Sequence, residues 1–88
     1  MPSPATRIVN VRVLLFASYA ERMGLESVRV ALPAVATVGD ALEHVRSLPG
    51  GERIPPRPLC AVNLTQAELD TRLAEGDEVA LLPPLAGG

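Results

Sequence analysis

Residues 27–48, SVRVALPAVATVGDALEHVRSL, change their hydrophobic repeat partway along, and this change decides the fold class. Polar and apolar residues alternate over residues 27–32, a pattern typical of a strand with one buried face. From Thr37 onward the apolar residues recur every three to four positions, which predicts one apolar stripe on a helix. The stripe consists of Val38, Ala41, Leu42, Val45 and Leu48.

Both ends of this helix carry signals of their own. Thr37 is followed three residues later by Asp40, an arrangement that resembles a capping box with Asp in place of the usual Glu. Pro49, Gly50 and Gly51 cannot easily continue a helix, so we expect the helix to end before them. The Pro- and Gly-rich residues 49–58 then predict an irregular loop.

The rest of the chain supplies three more predicted strands. Residues 8–17, IVNVRVLLFA, are rich in β-branched residues, and residues 18–25 read as a connection that turns at Gly24, which suggests a hairpin. Short strands follow at residues 59–63 and 78–82, with a helical turn at 67–73 whose Leu69 and Leu73 face inward. The predicted order is β-β-α-β-β: an α+β domain in which one helix covers one face of a mixed sheet.

Composition excludes several classes of function. Cys60 and His44 are the only residues of their types, so we expect no disulfide framework and no metal site. A net charge of −2 and two aromatic residues argue against a nucleic-acid partner. Apolar runs are too short to span a membrane, and no signal-peptide pattern is visible. We expect a cytoplasmic protein with no membrane partner, with His44 at the surface.

Strand alternation predicts which apolar residues face away from the helix. Val11, Val13 and Leu15 share the inward face of the first strand, and Cys60, Val79 and Leu81 are inward in the later strands. Phe16, Leu59, Leu82 and Leu14 then lie on the uncovered side. Such a contiguous patch marks a partner surface, unless the loop at 49–58 folds over it.

The segment Pro83-Pro84-Leu85-Ala86-Gly87-Gly88 predicts a tail that enters another protein. The two prolines favour a stiff, extended chain, and glycines allow a close approach to another backbone. Six residues reach at most about 20 Å. The delivered group is the α-carboxylate of Gly88, which must be activated before it can transfer anything. No phosphate-binding loop is present, so ATP would be bound by a partner enzyme.

These residues resemble the small subunit of molybdopterin synthase, the MoaD family, over residues 8–88. The segments that carry the resemblance are Val13-Leu14-Leu15-Phe16-Ala17, Glu21-Arg22-Met23-Gly24, Ala61-Val62-Asn63, Gly76-Asp77-Glu78-Val79-Ala80 and the terminal PPLAGG. The Gly-Asp-Glu-Val turn and the Gly-Gly end are shared with ThiS-like thiamine sulfur carriers. The paired prolines and the first two segments favour the molybdopterin branch.

The resemblance implies a ubiquitin-like β-grasp fold and a sulfur-carrier role. An E1-like adenylyltransferase would adenylate Gly88 with ATP, and a sulfur donor would convert it to a thiocarboxylate. The tail would then enter the large synthase subunit, within a heterotetramer, and give sulfur to cyclic pyranopterin monophosphate. The chain would not be catalytic alone and would hold no permanent cofactor.

The resemblance also implies roles for individual residues. Gly88, with Gly87 before it, would carry the sulfur. Phe16 matches a partner-contacting aromatic of the family, and Leu82 takes the place of another. The predicted partner-binding set is Phe16, Leu59, Leu82, Pro83, Pro84, Leu85 and Ala86.

Several alternatives stay open at this point. The same tail chemistry would serve sulfur transfer in thiamine, cysteine or tRNA thiolation pathways. A ubiquitin-like protein modifier and a plain binding module with an inert tail are the others. The predicted organisation is a flexible extension at residues 1–7, a domain at 8–82 and the tail at 83–88.

Overall fold

Five strands and two helices make up the computed structural model, which describes residues 7–84. The strands are β1 (Ile8–Leu15), β2 (Ser27–Pro33), β3 (Leu59–Val62), β4 (Thr65–Ala67) and β5 (Glu78–Leu82). The helices are α1 (Ala17–Met23) and α2 (Val38–Arg46), with a 3₁₀ turn at Gly51–Arg53. Predictions about residues 1–6 and 85–88 lie outside the described residues.

The sheet is mixed, with strand order β2-β1-β5-β3-β4. β1 pairs antiparallel with β2 and parallel with β5. β3 pairs antiparallel with both β5 and β4. The α+β class and the mixed sheet are therefore confirmed, and β5 ends in the middle of the sheet, beside β1 and β3.

The core lies between one face of this sheet and the helices. Every inward residue predicted by alternation in β1 and β5 is buried, and Cys60 of β3 is buried with them. α2 contributes the first four residues of its predicted stripe, and α1 contributes Tyr19. All these side chains meet on one side of the sheet, and neither helix of residues 7–84 lies over the opposite face.

The predicted capping box is present at the start of α2. The backbone N–H of Asp40 donates to the Thr37 hydroxyl at 3.4 Å, and the N–H of Thr37 donates to the Asp40 carboxylate at 2.9 Å. Val38 and Gly39 lie between the two capping residues, and their backbone N–H groups have no partner within the helix. They donate instead to the carbonyls of Thr71 and Leu69. These bonds tie the irregular chain after β4 to the helix. α2 ends at Arg46, two residues before Leu48.

The connection between β1 and β2 differs from the prediction. β1 ends at Leu15 and α1 follows, so the two strands do not form a simple hairpin although they do pair antiparallel. Gly24 ends α1 with a φ of 69° and donates its N–H to the Ala20 carbonyl. Gly24 is therefore a turn, as predicted, but it is the C-cap of a helix.

The segment 67–73, predicted as a helical turn, forms no helix and contains only a single turn, in which the Thr71 N–H donates to the Glu68 carbonyl at 3.1 Å. Residues 65–67 form β4, which pairs with β3 through the two-residue turn Asn63-Leu64. Leu73 is buried and Leu69 packs against the core, so the predicted inward direction of both side chains is confirmed. The observed order of regular elements is thus β-α-β-α-β-β-β, with the 3₁₀ turn before β3.

The loop at 49–58 packs on the helix side of the sheet. Ile54 is fully buried in the core, and its carbonyl accepts a hydrogen bond from Arg46 Nε at 2.8 Å. Because this loop is held against the helices, it does not cover the opposite face. The alternative in which the loop folds over the outward apolar residues is therefore wrong.

We expect Gly51→Ala to lower the free energy of unfolding by about 3 kcal/mol or more. A Cβ at this buried position would overlap the Val45 carbonyl oxygen, which belongs to α2 and cannot move freely. Gly24→Ala is the matched control: its φ of 69° is unfavourable, but nothing lies within 4 Å of the added carbon. That control is expected to cost about 1 kcal/mol. Urea denaturation followed by circular dichroism measures both, and equal losses would contradict this packing.

Candidate functional site

Six apolar side chains lie together on the face of the sheet opposite the core. Cross-strand pairing places Leu59 directly opposite Leu82, and Ala61 opposite Ala80. On the other side of β5, Leu14 is opposite Ala80. We call this set the apolar strip; it consists of Leu14, Phe16, Leu59, Ala61, Ala80 and Leu82.

Phe16 joins the apolar strip although it lies just after β1. Its backbone is extended, with φ −118° and ψ 152°, so the alternation of β1 continues through it. Leu15 pairs with Leu81, which places Phe16 level with Leu82 on the outer face. Phe16 and Leu59 are 43% and 48% exposed, and Leu82 between them is half-buried. Three large apolar side chains therefore form one row at the end of β5.

The other end of this sheet face is polar. Arg12 and Glu78, cross-strand neighbours on β1 and β5, form an ion pair at 3.4 Å. Both side chains are about half exposed, so water screens the pair and it adds little stability. The ion pair limits the apolar strip to the end of the sheet from which the tail departs.

A hydrogen-bond network fixes the start of β5. The Asn63 side chain accepts from the Glu78 N–H at 3.0 Å and donates to Asp77 Oδ1 at 2.9 Å. The other Asp77 oxygen accepts from the Ala74 N–H at 2.8 Å. The Asn63 and Gly-Asp-Glu-Val segments noted in the sequence are thus joined in space. They hold the β3–β4 turn against the strand that carries the tail.

The tail starts at the row of three large side chains. β5 ends at Leu82, and Pro83 and Pro84 follow it outside any strand, the first half-buried and the second exposed. Neither proline can donate a backbone hydrogen bond, which ends the ladder at this point. Leu85, Ala86, Gly87 and Gly88 lie outside the described residues. The structure thus brings Phe16, Leu59, Leu82 and the two prolines together, and their partner-binding roles stay predictions.

Strand alternation places Ala61 and Ala80 on the outward face, but they were not predicted as members of the apolar patch. Ala61 and Ala80 extend the row of large side chains toward Leu14, but a small side chain gives no clear signal in a hydrophobic pattern. The parity of their positions, shared with Leu59 and Leu82, was the available indication. Their small size keeps the middle of the strip flat.

Cys60 is placed as a core residue. Its side chain is 4% exposed, and its thiol lies 3.5 Å from the Pro58 carbonyl, to which it donates. Burial raises the pKa of the Cys60 thiol, and the nearby Glu68 carboxylate raises it further. A thiol held in its neutral form is a weak nucleophile. His44 is exposed on α2, as predicted.

We expect Cys60→Ala to fold normally and to lose about 1 kcal/mol of stability, because only a small buried group is removed. Because the pKa of the Cys60 thiol is raised, the thiol stays protonated to higher pH than that of a free cysteine. Iodoacetamide reacts with the thiolate, so we expect it to label the folded chain slowly. Mass spectrometry measures the labelling, with the urea-unfolded chain as the reference. Labelling of the folded chain as fast as the unfolded one would contradict this placement.

Two searches of the described residues bear on other kinds of site. Between residues 7 and 84, histidine, cysteine and acidic side chains do not gather into any group of three or more that could hold a metal ion. Across the same range, no helix is long and apolar enough to cross a membrane. The apolar strip, with Pro83 and Pro84 beside it at the end of β5, is the candidate site.

Comparison with known proteins gives matches over most of the chain. The model of the ThiS family matches residues 13–88. A molybdopterin synthase sulfur carrier subunit of Drosophila yakuba is 38% identical over 84 residues, which cover 92% of this chain and 93% of that protein. The structure of the modifier protein SAMP1 from Haloferax volcanii superposes with a TM-score of 0.79 at 34% identity, covering 90% and 99% of the two chains.

A third match comes from a complex of subunits 1 and 2 of the molybdopterin-converting factor from Helicobacter pylori. It superposes with a TM-score of 0.67 at 22% identity over 91% of this chain and 100% of that one. At this identity the likeness concerns the fold. The predicted ubiquitin-like β-grasp fold is confirmed by these neighbours, and so is the predicted resemblance to the molybdopterin branch of sulfur carriers. The chain belongs to the ThiS family.

Proposed function

We propose that this chain is the sulfur carrier subunit of a molybdopterin synthase. The observation that carries the proposal is the position of the apolar strip, which surrounds the point where the Pro83-Pro84 spacer leaves the sheet. A partner that covers the strip would receive the tail at the same time. The sulfur carrier subunit of Drosophila yakuba, similar over nearly its whole length, supports the same role.

The proposed chemistry uses only the C-terminal carboxylate of this chain. A carboxylate oxygen of Gly88 attacks the α-phosphorus of ATP on an E1-like adenylyltransferase, and pyrophosphate leaves. A hydrosulfide supplied by the sulfur donor then attacks the acyl carbon and expels AMP; where the donor holds the sulfur as a persulfide, the attack forms an acyl disulfide, and a thiol reduces its S–S bond to release the thiocarboxylate. The resulting thiocarboxylate carries the sulfur, and no cofactor stays bound to the chain between cycles.

The proposed partner for transfer is the large synthase subunit, in a heterotetramer with two copies of each chain. Its active site would bind cyclic pyranopterin monophosphate. This compound would accept the sulfur, and the dithiolene of molybdopterin would be built on it. The Helicobacter pylori structure of the two converting-factor subunits together supports a partner of this kind. Acid–base chemistry would belong to the large subunit, because Gly88 would act as a covalent sulfur carrier and not as a general acid or base.

A reconstituted transfer assay tests the proposal. The chain is incubated with ATP, the activating enzyme and a sulfur donor from the same organism, and then with the large subunit and cyclic pyranopterin monophosphate. We expect the dithiolene product, identified by its mass. Failure to form it, when the carrier subunit of another organism forms it with the same components, would contradict the proposal.

A second use of the same activated tail, as a protein modifier, is favoured by the likeness to SAMP1 from Haloferax volcanii. In that case a lysine amine of a target protein, in place of sulfur, would attack the activated Gly88. All eight basic residues of this chain are arginine, so no side chain here could accept such a bond. Trypsin cleaves after Arg72, the last basic residue, so target lysines that carry residues 73–88 in isopeptide linkage, found by peptide mass spectrometry of cells, would favour this role.

A further inference from the structure

A hollow of about 390 Å³ lies beside Phe16, at the border of the apolar strip. Its apolar lining comes from Leu14 and Phe16, which belong to the strip, and from Ala17 and Ala20 of α1. Because Leu14 and Phe16 are shared, the hollow and the strip form one continuous surface. A protein that covers the strip therefore covers the hollow as well.

The hollow exists because the chain turns sharply after Phe16. Phe16 is extended, and the next residue, Ala17, has a φ of 50°, in the left-handed region that residues with a Cβ rarely adopt. At this turn the chain passes from β1 into α1, and the helix borders the hollow only with the small side chains of Ala17 and Ala20. Larger side chains at these two positions would fill the space.

The end of the hollow next to Phe16 carries a carboxylate that has no partner within the domain. Glu26 lines this end, and its carbonyl accepts the Leu15 N–H at 2.9 Å. Among residues 7–84 there are two ion pairs, and neither includes Glu26. Arg12 lines the other end, about 10 Å from Leu15 along β1, and its charge is paired with Glu78. The Phe16 end of the hollow is therefore anionic.

We infer that the hollow receives a cationic side chain, lysine or arginine, of the large synthase subunit. The aliphatic part of such a side chain would pack against Leu14, Ala17 and Ala20, as long cationic side chains do on apolar surfaces. Its charged end would meet the Glu26 carboxylate, and the exposed ring of Phe16 attracts a cation to its face. An apolar side chain would instead remove water from Glu26 without replacing it, which is unfavourable.

This contact rests on the proposed function, which makes the large subunit the protein that covers the strip. It also explains how the domain would be oriented there. The hollow lies at the β1 and β2 side of the row of large side chains, whereas Leu59 lies on β3, at the other side of β5. Apolar contacts alone fix orientation weakly, and a charged contact at one side sets the register of an interface. The direction in which the tail enters would follow from it.

A filled hollow tests whether the space is occupied. Ala20→Leu places a larger side chain in the hollow and leaves Phe16 and Glu26 in place. We expect it to bind the large subunit about tenfold or more weakly in calorimetric titration with the full-length chain. Ala31→Leu is the matched control, because Ala31 is exposed on β2 opposite Asn10, outside the hollow. The control should bind within about twofold, and circular dichroism should show that both variants are folded.

Removal of the charge tests the chemistry of the occupant and does not depend on the folding of Ala20→Leu. Glu26→Gln keeps the shape of the side chain, and we expect it to bind the large subunit about fivefold more weakly at low ionic strength. At about 1 M salt, where the screening length is about 3 Å, the difference should fall to within about twofold. Glu52→Gln, at an exposed position in the 3₁₀ turn, is the control and should bind normally.

The contrary results are distinct. Normal binding by Ala20→Leu would show that the hollow stays empty, and normal binding by Glu26→Gln would show that no cation enters it. Either result would overturn the inference, and sulfur transfer by the unmodified chain would show that the proposed function survives. Failure of the unmodified chain to bind the large subunit would overturn the proposed function and this contact together.

Discussion

Deletion of Gly88 is expected to lower sulfur delivery to the acceptor by about 1,000-fold or more, while the unfolding transition of the domain stays unchanged. The deletion leaves a carboxylate on Gly87, about 3.5 Å short of the position that the full tail reaches. Misplacement of a reacting group by 1 Å can already cost about 100-fold. Gly87 and Gly88 follow β5 in the sequence, since that strand ends at Leu82, so the deletion changes no residue of the sheet.

Gly88→Ala is the informative companion to this deletion. It keeps the length of the tail and the position of the carboxylate, but it adds a Cβ at the tip. Activity between those of the unmodified chain and the deletion would indicate a narrow partner channel. Product formation in the reconstituted assay measures both variants. Sulfur delivery by the Gly88 deletion at the unmodified rate would exclude Gly88 as the carrier.

Leu82→Asp is expected to weaken binding to the large subunit by about 100-fold, or roughly 3 kcal/mol. Leu82 is the centre of the row that includes Phe16 and Leu59, and it immediately precedes the tail. A carboxylate there would be buried without a partner in the interface, which costs more than the lost apolar contact alone. The free domain should lose only about 1 kcal/mol, because the side chain lies on the outer face of the sheet.

Two further variants separate the effect of the site from that of charge. Val35→Asp places the same charge on another exposed apolar residue, 39% accessible, in the connection between β2 and α2. It is expected to bind normally. Leu82→Phe keeps an apolar side chain and should bind within about threefold of the unmodified chain. Surface plasmon resonance measures affinity, and equal weakening by the Leu82 and Val35 aspartates would contradict the assigned surface.

The parts of the fold with regular patterns could be predicted from sequence. β1, β2 and β5 show alternating apolar residues, and α2 shows an apolar stripe. Each pattern arises because one face of the element packs against the core. The Thr37–Asp40 capping box is a local interaction, so its sequence signal is direct. The same alternation predicted that Phe16, Leu59 and Leu82 face outward, because the single predicted helix could cover only one face of the sheet.

The elements that were missed depend on contacts distant in sequence. α1 has seven residues, only Tyr19 of which is buried, and Phe16 offers no side-chain cap. β4 has three residues and follows a turn whose second position is Leu64, so the usual Asn-Gly signal of a hairpin is absent. Ile54 is buried from within a Pro-rich loop, a position that only the packing of the helices determines.

The sulfur-carrier role is tested most directly by the intact mass of the chain after incubation with its activating enzyme, ATP and a sulfur donor. We expect a gain equal to the replacement of one oxygen by one sulfur, located at Gly88 by fragmentation. The gain should be absent when Gly88 is deleted and present in Cys60→Ala. An unchanged mass, with the same enzyme shown to load another carrier, would contradict the sulfur-carrier role.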